Sequence, residues 1–94
     1  MVQVHLNEIN KNSKVIDLRS SIDFEKFNYP GSINVPKLFI LKEPEKYLDK
    51  NKKYYFICDQ GKVSLSCAKI LNALGYNCYS IIGGIDKYKE LLKK

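Results

Sequence analysis

Three features of this 94-residue sequence predict an α/β fold, an open and mostly parallel sheet flanked by helices on both faces. Short apolar runs alternate with helix-period segments over short connections, the order expected of strands joined by crossover helices. The run Tyr54 to Ile57 is apolar at every position, as a central parallel strand covered on both sides should be. Glycine and proline punctuate the segments at Pro30-Gly31, Pro36, Gly75 and Gly83-Gly84. At 45% hydrophobic and 28% charged, residues 1–94 are expected to form one domain, with no linker, repeat or low-complexity tract.

The elements follow in order. Lys14 to Leu18 is an apolar run closed by Arg19, Ser20 and Ser21, a buried strand feeding a loop. Ile22 to Phe27 suits a short helix with Ser21 as N-cap and Asp23 in its first turn, where negative charge complements the helix dipole. Arg19 and Asp23 are expected to form a structural ion pair. Ser32 to Val35 is a short strand halted by Pro36, and Lys37 to Tyr47 should be helical in pieces, with Pro44 opening the second. Tyr54 to Ile57 ends at Cys58. From a start near Ser64, Cys67, Ile70, Leu71 and Leu74 recur at helical spacing, and Gly75 suits the residue after the helix end. Cys78 to Ile82 reads as a strand and Gly83-Gly84 as a turn. Ile85, Tyr88, Leu91 and Leu92 mark a last amphipathic helix, with Lys93 and Lys94 at the end its dipole favours.

Charge and cysteine content narrow the function classes. The net charge of +6 comes from fifteen Lys and one Arg spread thinly along the chain, which favours small anionic partners over nucleic acid, whose recognition calls for a clustered basic face containing Arg. No apolar run approaches the roughly 20 residues that cross a bilayer, and the N-terminus lacks the pattern of a secretory signal. A cytoplasmic monomer with no membrane partner is expected. Cys58, Cys67 and Cys78 are separated by nine and eleven residues, and the single histidine is His5, so neither a disulfide scaffold nor a metal site is expected, nor any cofactor.

In an open parallel sheet, sites lie outside the carboxyl ends of the strands, which directs attention to Cys58 through Ser64. A loop passing from a strand into a helix can aim several backbone N–H groups at one point, and the helix N-terminus adds partial positive charge. Such a point favours a thiolate, so Cys58 is a candidate nucleophile needing no histidine base. Gly61 permits the tight turn, Lys62 adds a full charge, and Ser64 could cap the helix or donate to a bound anion. Cys67 on an apolar helix stripe and Cys78 in an apolar strand read as core thiols.

The stretch Cys58-Asp59-Gln60-Gly61-Lys62-Val63-Ser64, followed by Leu74-Gly75-Tyr76 and Gly83-Gly84-Ile85, resembles the active-site half of single-domain rhodaneses, with their C-x-x-G-x-R-S loop, GY turn and GG. Val15-Ile16-Asp17-Leu18-Arg19 is similar to that family's V-I-D-V-R, and Tyr29-Pro30-Gly31-Ser32-Ile33-Asn34-Val35-Pro36 to its I-P-G-A-I-N-I-P. The resemblance implies a rhodanese-like fold and a sulfurtransferase. Cys58 would take sulfane sulfur from thiosulfate or a persulfide, a small anionic donor, and pass it to cyanide, a thiol or a protein acceptor. Asp59, Gln60, Gly61, Lys62, Val63 and Ser64 would line the substrate site. Two positions depart from the pattern: Val63 stands where Arg is frequent, and Asn28 where a histidine precedes the Pro-Gly turn. The alternative the resemblance allows is a non-catalytic binding or regulatory module. Phosphatases and arsenate reductases of the same fold need an Arg in a C-x5-R loop to clamp an oxyanion, and here the sixth residue after Cys58 is Ser64.

Overall fold

The computed structural model describes residues 2–93. Five strands form one parallel sheet: β1 (Gln3–Val4), β2 (Val15–Asp17), β3 (Ile33–Asn34), β4 (Lys53–Ile57) and β5 (Asn77–Ile81), in the order β1-β5-β4-β2-β3. Three helices lie between strands, α1 (Ser21–Lys26), α2 (Lys37–Lys42) and α3 (Lys62–Ala73), and a fourth, α4 (Gly84–Leu92), follows β5. β4 lies between β2 and β5, with Ile16 beside Phe56 and Tyr54 beside Cys78. The uniformly apolar run is therefore a central strand, as its composition predicts.

Successive side chains of a strand point to opposite faces, and two cores result. Ile16, Tyr54, Phe56 and Cys78 pack with Ile40 of α2 and with Cys67, Ala68 and Leu71 of α3. Val15, Ile57 and Ile81 pack with Ile85 of α4 and Ile9, flanked by Phe27, Tyr29 and Tyr55. Phe56 and Ile57 are both fully buried, one on each face, so β4 is the spine of both layers. On the α4 side Tyr88 closes the layer by meeting the rings of Phe27 and Tyr29, with centroids 5.8 and 5.0 Å away.

Several boundaries differ from the sequence reading. β1 and a 3-10 turn over Leu6–Glu8 form where no element was expected, because β1 is only two residues long and is held by pairing with β5, a contact that local pattern does not carry. Helix α1 is capped by Ser20, whose hydroxyl accepts from the Asp23 N–H, so Ser21 lies inside the helix and Phe27 outside it. Helix α3 starts at Lys62, with Gly61 as its N-cap at φ +94°, so Ser64 is one turn inside and does not cap it. Strand β5 begins at Asn77, and the Asn72 side chain bonds both the N–H and the carbonyl of Cys78, tying the end of α3 to the sheet. Helix α2 ends before Pro44, which opens a separate 3-10 turn, and Gly75 follows the cap of α3 at φ +99°, both as expected. Lys94 lies outside the described residues.

Candidate functional site at the carboxyl edge of the sheet

Cys58 is the first residue beyond β4, and its residue is 4% exposed. The chain turns back over it, so that the N–H groups of Gly61 and Ser64 point at Sγ from 3.1 and 3.3 Å. Gly61 makes the turn possible: its backbone is left-handed, and a Cβ there would sit 3.0 Å from the Gly83 nitrogen. Ser64 is fully buried beneath the sulfur, its hydroxyl 3.2 Å from Sγ and 2.6 Å from the hydroxyl of Ser80. Ser80 in turn donates to the Gly61 carbonyl at 3.3 Å. The result is a sulfur held by two amides and a pair of linked hydroxyls, whose rotors can turn to either accept from a thiol or donate to a thiolate.

The outer wall of this loop is built by α4. Its first amides, Ile85 and Asp86, donate to the carbonyls of Cys58 and Asp59 at 2.8 and 3.0 Å. Gly84, at φ +55°, packs so closely that any Cβ would overlap the Cys58 carbonyl oxygen. The two glycines read as a turn in the sequence thus also permit one loop to lock into another. Above the sulfur lies an open pocket of about 480 Å³, lined by Cys58, Asp59, Gln60, Lys62, Val63 and Asp86.

Of the six loop residues expected to line the site, Asp59, Gln60, Lys62 and Val63 line the pocket, while Gly61 and Ser64 lie beneath it as parts of the cradle. Asp86 and Ser80 were missed. They lie 22 or more residues along the chain from Cys58, and only the sheet order and the docking of α4 bring them in; the Gly83-Gly84 pair was the one local signal of that docking. A larger cavity of about 590 Å³ opens at the opposite, amino edge of the sheet, where Lys11, Lys14, Lys46 and Lys52 are among its lining residues and no cysteine is.

Arg19 pairs differently from the sequence expectation. Its guanidinium binds Asp17 rather than Asp23, through Nε and Nη2 at 3.1 and 2.8 Å, and Nη2 also reaches the Phe27 carbonyl at 2.6 Å. The reason is burial: Asp17 and Arg19 are both nearly water-free and answer each other there, whereas Asp23 is exposed on α1. Burial works against the Arg19 charge, but the hydrogen bonds and charge of Asp17, with Asp59 and Asp23 beyond, outweigh it and raise its pKa above the ordinary value. Nη1 faces Asp59 of the loop at 3.9 Å. Asn28 donates to the Phe24 carbonyl at 2.9 Å, a local bond at the end of α1.

The two other thiols are inert by position. Burial pushes Cys67 upward and Cys78 up to about 12, so both stay protonated at neutral pH inside the core shared with α3.

The family model described as Rhodanese-like domain matches residues 2–91. The adenylyltransferase and sulfurtransferase UBA4 of Lodderomyces elongisporus is 35% identical over 95 residues, covering 90% of this chain and 21% of that protein. The putative sulfurtransferase YtwF of Bacillus subtilis is 28% identical over 71 residues, 76% of this chain and 68% of that one. A crystal structure of a rhodanese-related protein from Thermoplasma volcanium superposes with a TM-score of 0.83 at 31% identity, covering 96% of this chain and 92% of that one. The chain spans about a fifth of the length of its UBA4 relative.

Proposed function

Because the chain belongs to the rhodanese-like domain family, we propose that it is a sulfurtransferase in which Cys58 carries the transferred sulfur. The observation that carries the reading is the aim of the Gly61 and Ser64 amides at one sulfur atom. Preorganised N–H donors stabilise negative charge where it resides before and after transfer, and they do so without reorganising. The sulfurtransferase names of two relatives that align over most of this chain support the same chemistry.

The steps balance simply. The Cys58 thiolate attacks the outer sulfur of a donor; a Cys58–S bond forms, the donor's S–S bond breaks, and its electron pair leaves with sulfite from thiosulfate or with a thiolate from a persulfide. The new persulfide then gives its outer sulfur to an acceptor, cyanide, a thiol or a protein, and Cys58 returns as thiolate. The cradle holds the inner sulfur throughout, and the outer sulfur stands in the pocket bounded by Gln60, Lys62 and Val63.

Intact-protein mass spectrometry of the reduced chain after exposure to thiosulfate, and separately to an alkyl persulfide, tests the proposal. A gain of one sulfur atom, reversed by cyanide and missing from Cys58→Ser, is expected. A folded protein with a free Cys58 thiol that gains nothing from either donor is instead a binding module.

A further inference from the structure

The pocket over Cys58 is charged opposite to the chain as a whole. Asp86 donates its amide to the Asp59 carbonyl, and these two exposed acidic residues from distant parts of the sequence both line the mouth. Lys62 is the one cation among the described residues that line it. Arg19 is shared: its Nη2 holds Asp17 and the Phe27 carbonyl, and its Nη1 stands 3.9 Å from Asp59, within ion-pair reach but beyond hydrogen-bond length. Asp17, Asp59 and Asp86 against Arg19 and Lys62 leave this end of the sheet with one negative charge in excess, although the chain carries +6.

We infer that Asp59 and Asp86 set donor specificity, selecting persulfides that bear an ammonium group near the sulfur and rejecting thiosulfate. The inference rests on the reading of Cys58 as sulfur carrier. Thiosulfate brings two negative charges and must expel sulfite with both, past two carboxylates and with Val63 offering no charge. An aminoalkyl persulfide brings its cation to the carboxylates and its alkyl chain to Val63. Cys58 thiolate bonds to the outer sulfur, the S–S bond breaks, and an aminoalkyl thiolate leaves whose charge its own ammonium balances. Exposed charges at contact distance interact by about the thermal energy each, and salt weakens them.

The experiment compares the rate of sulfur gain at Cys58 from thiosulfate, 2-hydroxyethyl persulfide and 2-aminoethyl persulfide, in the native chain and in Asp59→Asn, Asp86→Asn and the double variant. The native chain should load fastest from 2-aminoethyl persulfide and slowest from thiosulfate. In the double variant the ratio between them should shrink roughly tenfold, and added salt should shrink it in the native chain but not in the variant. The exposed Asp86→Asn, which keeps its backbone bond to Asp59, should show part of the shift in a folded protein. Loading with the same donor ratio in native and double-variant protein overturns the inference while leaving the sulfur-transfer reading in place; no loading of the native chain by any donor overturns both.

Discussion

At the scale of single residues, the buried charge and the buried thiols make the sharpest predictions. Arg19→Met removes the cation from a carboxylate that water cannot reach, and unfolding in urea should show a loss of about 3–5 kcal/mol, whereas Arg19→Lys should lose less, keeping the charge but not the forked geometry. If Arg19→Met were as stable as the native chain, the ion pair would not be holding the strand end. Cys78 predicts a pH effect. Its folded-state pKa, about 12, lies above that of an unfolded thiol, so folding favours the protonated form. The stabilisation is complete below about pH 8.5 and is lost as pH rises toward the folded value, by up to about 1.4 kcal/mol per pH unit. Urea midpoints measured on both sides of that point should diverge in the native chain and diverge less in Cys78→Ala, in which other alkaline titrations remain.

At the scale of elements, the contact between the Cys58 loop and the start of α4 decides whether there is a site. Gly31 and Gly84 both have left-handed backbones, yet a Cβ at Gly31 meets nothing within 4 Å, while one at Gly84 overlaps the Cys58 carbonyl and comes 2.8 Å from that of Asp59. Gly31→Ala should therefore cost only the backbone penalty, about 1–2 kcal/mol. Gly84→Ala should cost more and also slow sulfur gain at Cys58, because α4 must withdraw its two amides from the loop. Thermal unfolding and the mass-gain assay on both variants check this, and equal losses would show that the interlock is dispensable. The strand ends were legible to within a residue or two, since apolar runs stop where burial stops. The start of α3 was not: Gly61 and Lys62 have no apolar signature, and Ser64 imitates a cap while serving as the floor beneath the sulfur.

For the whole molecule, stability should be graded from the centre outward. β4 pairs on both sides, whereas β1 and β3 are two-residue edges. Hydrogen exchange should find the amides of Tyr55 and Phe56 opening only with global unfolding, and the Ile82 amide, bonded to Val4 at the edge, exchanging through local opening. Uniform protection across the sheet would contradict this. The distribution of charge is also a property of the whole: four lysines surround the cavity at the amino edge, and two carboxylates stand at the carboxyl edge over the sulfur. Net charge alone pointed to a small anionic donor, and the placement of charge points to one that brings its own cation. Among the described residues no helix is long and apolar enough to cross a membrane.

From the sequence by itself came the order of strands and helices, the central place of Tyr54 to Ile57, the corner at Cys58, and the assignment of Cys67 and Cys78 to the core. Each depends on periodicity or on the residues a tight turn tolerates, which act over a few positions of chain. The tertiary structure alone decided that Asp86 joins Asp59, that Ser80 supports Ser64, that Arg19 answers Asp17, and that β1 forms at all. These are contacts made by the crossing of segments in a parallel sheet, or choices among nearby partners that burial settles, and no local pattern encodes which groups will meet.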